Sequence, residues 1–215
     1  MYGRTLEGQD LTFEASGGLI HGTLVLQDRE TDSYWPIMAG RSVAGELDGT
    51  RLPELAVASK RRWADWRDEH PDTLVLSVDG AEDAPPGYRD YLSSQEGFRG
   101  LTAEDDRLPT KAPIFAFRID GRAVAAPHAG FAGGRSFRTS GERIWLYRRA
   151  DAPLLESSTA FRMLPGRDEA ACPFDAERLA FPAGCAEPLP GFDTFWYSWS
   201  NNNPGTWLLG AAPAD

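Results

Sequence analysis

Trp63-x-x-Trp66-x-x-x-x-Pro71-x-Thr73-x-x-Leu76 recurs as Trp196-x-x-Trp199-x-x-x-x-Pro204-x-Thr206-x-x-Leu209, 133 residues later. Two tryptophans at i, i+3 share one face of a helix, and the proline five residues beyond stops it. The apolar run that follows, Thr73 to Ser77 in the first copy and Thr206 to Leu209 in the second, reads as a buried strand. Each string therefore predicts a short Trp-bearing helix feeding a strand. Ser59 and Asp193 are placed to cap the two helices.

Working outward, three more strings recur in the same order. Phe13-x-x-Ser16-Gly17 returns as Phe137-x-x-Ser140-Gly141, Gly40-Arg41 as Gly166-Arg167, and Asp48-x-x-Arg51-Leu52 as Asp175-x-x-Arg178-Leu179. The offset only grows along the chain, as small insertions in the second copy would make it, so an internal duplication is expected. Both Trp pairs are then expected to be buried, and residues 12 to 79 to superpose on 136 to 212 across a pseudo-twofold. The fold class that follows is α+β, mainly β. It comprises two degenerate repeats over 1–100 and 101–215, each a small twisted sheet with one short helix, packed as one compact domain.

Leu11 to Glu14 and Gly18 to Leu26 read as strands, and Tyr34 to Ile37 as the return strand of a hairpin tipped by Asp28-Arg-Glu-Thr-Asp-Ser33. Lys111 to Pro127 reads as strand, Asp120-Gly121 turn, strand. Its counterpart in the first copy falls ahead of Met1. The chain is thus expected to begin inside its first repeat, either because the native protein is longer or because an edge element was lost. Ala81 to Gly100, with Pro85-Pro86-Gly87, reads as a surface excursion.

Composition excludes several functions. The net charge is −10, with 22 Lys and Arg against 32 Asp and Glu. That balance and the lack of a basic stripe argue against nucleic acid and anionic membranes as partners. No run approaches the roughly 20 apolar residues of a membrane span, and no signal peptide opens the chain. His21, His70 and His128 lack metal-ligand spacing, and no nucleophile elbow, phosphate loop or dinucleotide fingerprint occurs, so no metal or cofactor is expected. Cys172 and Cys185 are either free thiols or one disulfide, which would close a loop of about 14 residues and contribute about 3 kcal/mol. The disulfide is the reading preferred for an exported protein.

The residues with most chemical potential lie at the charged tip. Asp28, Arg29 and Glu30 beside Trp35 could hold a polar ligand or present an acid or base, with His70 and the Arg89-Asp90-Tyr91 cluster as neighbours. The alternative is a solvated turn in which Arg29 pairs locally with a carboxylate. The second copy has Arg148-Arg149-Ala150 in the tip and Asn203 for His70, so any site is expected in the first copy.

Leu24 to Trp35, Gly45, Trp63-x-x-Trp66-x-x-x-His70-Pro71-Asp72-Thr73, Arg89-Asp90-Tyr91, Phe192 to Trp199 and Asn203-Pro204-x-Thr206 resemble the prokaryotic domain-of-unknown-function family 3179. Members of that family are usually longer at the front, with an Ala-Tyr-Pro motif and a Cys-Pro-Leu-Cys-Gly segment. Neither is present here, so no redox or metal role of those cysteines carries over. The resemblance implies frequent export and names no reaction. Two functions follow as expectations: a non-catalytic ligand-binding or envelope-associated protein, or an enzyme on a small polar or anionic substrate. In the enzyme, Asp28 or Glu30 would act as acid or base and Arg29 would orient the substrate.

Overall fold

The computed structural model describes residues 2–55, 60, 62–77, 87–139, 141–154 and 156–210, with 87–89 described by backbone alone. Strands dominate and the helices are short, so the chain is α+β, mainly β. After the small hairpin of β1 (Thr5–Leu6) and β2 (Gln9–Asp10) comes an antiparallel sheet of β3 (Phe13–Ile20), β4 (Thr23–Asp28) and β5 (Tyr34–Pro36). Helices α1 (Trp63–Glu69) and α2 (Gly87–Ser93) follow. The second half opens with the hairpin β6 (Pro113–Ile119) and β7 (Arg122–Pro127). Next come β8 (Arg135–Thr139), β9 (Glu142–Tyr147), β10 (Thr159–Met163), β11 (Ala186–Leu189), β12 (Gly191–Phe195), α3 (Trp196–Ser200) and β13 (Trp207–Leu208).

The β6–β7 hairpin is the centre of the molecule. It forms a four-stranded sheet in the order β12-β6-β7-β13, in which β13 runs parallel to β7. Side chains alternate along a strand, so the hairpin has two faces. Ile114, Ala116 and Ala125 pack on Trp196 and Trp199 of α3. Phe115, Phe117, Val124 and Ala126 pack on Ile144, Leu146 and Ala160 of the second sheet, whose order is β11-β10-β9-β8. Burial on both faces explains the nearly unbroken apolar run of β6.

Several expectations fail for identifiable reasons. Gly18 to Leu26 is not one strand. His21 and Gly22 both take left-handed φ, 48° and 74°, and turn the chain between β3 and β4. Two consecutive left-handed residues match the twist of a hairpin, and His can fill the first position as Asn does. Ser16 and Gly17 then fall in a bulge of β3, whereas Gly141 lies in the β8–β9 link, so this recurring string occupies different places in the two hairpins. Thr73 to Ser77 is not a buried strand. Leu74 is 95% exposed and Leu76 89%, because no strand in the described residues pairs with them. Trp63 and Trp66 are likewise exposed, at 49% and 38%, while Trp196 and Trp199 are buried.

Helix α1 starts after Arg62 with no side-chain cap, and Ser59 lies outside the described residues. Asp193 does not cap α3, where the N-cap position is Phe195. Part of the expected surface excursion is helical, as α2, and 78–86 lie outside the described residues. A disulfide joins Cys172 to Cys185, with Cα atoms 5.9 Å apart, and packs with Met163, Trp145 and Phe181.

Candidate ligand-binding site

At the charged tip, Asp28 points inward and is fully buried. Its carboxylate accepts from Trp35 Nε1 at 2.7 Å, from the Thr31 amide at 2.6 Å and from Thr31 Oγ1 at 2.8 Å. Burial alone would raise the Asp28 pKa. The hydrogen bonds from Trp35 and Thr31 outweigh it and hold the carboxyl below its ordinary value. The loop over 42–50 clamps this turn from outside. Leu47 N donates to Ser33 Oγ at 2.9 Å, and Gly45, at φ 95°, lies so close that a Cβ would meet the Ser33 Cα at 2.5 Å.

Asp28 and Trp35 are therefore brought together, and the other expected site residues are not. Arg29 points out and pairs with Glu14 at 2.7 Å. Glu30 accepts from the Thr12 amide at 2.7 Å, which lowers its pKa. His70 lies at the end of α1, its ring 4.1 Å from that of Trp66. Arg89 lies in α2, with its side chain outside the described residues.

The Asp28 network makes a pH-dependent contribution to stability. A carboxyl with a depressed folded pKa stabilises the fold above its unfolded pKa of about 4, and that contribution is lost as pH falls through the folded value. Asp28→Asn cannot accept all three donors and should cost about 2 kcal/mol near neutrality. The gap between wild type and variant in chemical denaturation should stay constant above about pH 5 and narrow below about pH 4. A gap that does not change with pH would show that the carboxylate charge is irrelevant there.

A second buried polar cluster lies in the other half. Asp193, on β12, accepts from Ser158 N at 2.8 Å and Ser158 Oγ at 2.6 Å, and pairs with His128 Nε2 at 2.8 Å. The Arg148 guanidinium lies 3.8 Å away and also donates to the carbonyls of Ala152, Pro153 and Glu156. All four side chains are buried and mutually satisfied. Ser158 and His128 both bond Asp193 rather than each other, so this is not a nucleophile–base pair. It ties β12 to the β9–β10 link.

The feature best suited to a ligand is a cleft of about 790 Å³ on the second sheet. Arg138, Arg143, Arg162 and Arg167 line it, with Glu142, Asp168 and Glu187. Arg138 and Arg143 stand directly opposite each other on β8 and β9, an arrangement that like-charge repulsion disfavours. Arg143 is compensated by Glu169 at 2.8 Å, and Arg162 by Glu142 at 3.2 Å and Asp120 at 3.0 Å. Among the described residues, neither Arg138 nor Arg167 has an ion-pair partner. Thr139 Oγ1 is buried there without a hydrogen-bond partner. Sequence reasoning missed the cleft because its arginines are scattered over 30 residues. The pairing of Arg138 with Arg143 across a two-residue hairpin link was the available signal.

Among the described residues no group of three His, Cys, Asp or Glu side chains is placed to hold a metal ion, and no helix is long and apolar enough to cross a membrane. No curated protein and no solved structure matches the chain. The family model described as a protein of unknown function, DUF3179, matches residues 1–206, and the chain belongs to that family.

Proposed function

We propose that the protein is a non-catalytic binding protein for a small anionic ligand, held in the cleft between the β8–β9 hairpin and the 164–168 turn. The observation that carries this reading is the concentration of four arginines, two without a carboxylate partner among the described residues, in one concave site of a protein whose net charge is −10. Hydrogen bonds to charged groups are among the strongest available, and the planar guanidinium suits carboxylate and phosphate oxygens. The partnerless Thr139 hydroxyl gives the same site a hydrogen-bonding group for the rest of a polar ligand.

The enzyme reading has less support. It needs Asp28 or Glu30 to exchange protons with a substrate. Asp28 is enclosed and already accepts from Trp35 and Thr31, and Glu30 serves the Thr12 amide.

Calorimetric titration with inorganic phosphate, citrate and an uncharged sugar tests the proposal. Citrate or phosphate should bind and the sugar should not. Replacing Arg138 and Arg167 together by Ser should weaken binding at least about tenfold, since a hydrogen bond to a charged group contributes about 1.5–3 kcal/mol. Affinity should also fall with added salt. Equal affinity of wild type and double variant, or no binding of either anion, would remove the cleft as the site.

A further inference from the structure

The recurring Gly-Arg string places an arginine at a cavity in each half of the chain. Gly40 and Gly166 both take left-handed φ, 61° and 74°. Arg167, after the second, lines the cleft described above, and Arg41, after the first, lines a separate cavity of about 190 Å³. Like Arg167, Arg41 has no ion-pair partner among the described residues. The two arginines differ in what surrounds them.

The smaller cavity has apolar walls, built from Tyr2, Phe13, Leu26, Trp35 and Ile37. Gly40 lets the Tyr2 ring in, since a Cβ there would meet Tyr2 Oη at 2.6 Å. Phe13 stands edge-on to Trp35, with ring centroids 5.8 Å apart. The Trp35 indole N–H is spent on Asp28, so that ring asks for no polar partner in the cavity. The volume is close to the roughly 150 Å³ of an apolar cavity that takes up benzene, so a single ring fits. Two exposed arginines also line the cavity and make its mouth cationic. Arg4 is used by Asp10 at 2.7 Å, which leaves Arg41, among the described residues, as the cation available to a ligand.

We infer that this cavity binds a small aromatic carboxylate, with its ring among Tyr2, Phe13 and Trp35 and its carboxylate on the Arg41 guanidinium. Burial of the ring supplies the apolar contact, and edge-to-face packing on aromatic walls favours a flat ring over a branched chain. The planar guanidinium can meet both carboxylate oxygens. An uncharged ring would fill the same space without using Arg41, and a ring bearing an ammonium group would be repelled by it. The cleft on the second sheet is instead lined by charged side chains of both signs. The two cavities therefore call for different anions, one polar throughout and one with an apolar body.

The test is titration of the full chain with benzoate, benzyl alcohol, benzylammonium and acetate, followed by the Trp35 indole N–H resonance in nitrogen–proton correlation spectra. Benzoate should shift that resonance saturably. Benzyl alcohol should bind about fivefold more weakly, as loss of one exposed ion pair implies, and benzylammonium and acetate should leave the resonance unmoved. Arg41→Ala, at an exposed position, should bring benzoate down to the affinity of benzyl alcohol and leave benzyl alcohol unchanged. Replacing Arg138 and Arg167 together by Ser should leave benzoate binding intact, which separates this cavity from the cleft. No shift with benzoate up to about 10 mM, the weakest binding expected of a ligand of this size, would overturn the inference. So would equal benzoate affinity of wild type and Arg41→Ala, or acetate acting as well as benzoate. Loss of benzoate binding in the Arg138 and Arg167 double variant would overturn it in favour of the cleft.

Discussion

Asp193→Ala should destabilise the protein by about 3–5 kcal/mol, because it strands buried polar partners rather than removing a surface contact. The carboxylate holds His128, both the amide and hydroxyl of Ser158, and the nearby Arg148 guanidinium. Arg148 keeps its three carbonyl acceptors, so its charge stays buried with no anion beside it. Each abandoned buried group costs about 1–3 kcal/mol. The urea midpoint should fall with little change in slope, as for a native state that loses stability without becoming less compact. Asp193→Asn keeps one acceptor and should fall between wild type and Ala. A loss below about 1 kcal/mol for Ala would mean that water or a neighbour replaces the carboxylate, and that the cluster does not hold β12 to the β9–β10 link.

Such a cluster is invisible to sequence reading. Asp193 lies 65 residues from His128 and 35 from Ser158, and no local spacing signals their meeting. What could be read was local and periodic. The alternation around Ile114 to Ile119 and the Asp120-Gly121 turn gave β6 and β7 because pleat and turn chemistry act over a few residues. The i, i+3 tryptophans and the proline beyond them gave α1 and α3 for the same reason. His21-Gly22 escaped because apolar residues flank it on both sides, and only the two left-handed φ values mark the turn. At the charged tip the run Asp28-Arg29-Glu30 suggested one site. Successive strand-end residues point to opposite sides, however, so Asp28 faces Trp35 while Arg29 faces Glu14 and solvent. The burial expected for Leu74 to Leu76 was a statement about hydrophobicity, and burial also needs a partner strand.

That difference between apolar character and burial sets the second large effect. Trp199→Ala should cost about 3–5 kcal/mol, the range for emptying a buried aromatic site. Trp66→Ala at the recurring position should cost less than about 1 kcal/mol. Trp199 is 1% exposed, packs edge-on against Phe192 and floors the hairpin beside Ile114 and Ala116. Trp66 is 38% exposed, stacks on His70 and donates its indole N–H to Thr73 Oγ1 at 2.9 Å, contacts that stay within its own turn. In a chain of this size 1 kcal/mol moves the melting temperature by about 2–4 °C, so the two variants should differ by at least about 4 °C. Equal losses would place Trp66 in a core as tight as that of Trp199 and would contradict the open surface around it.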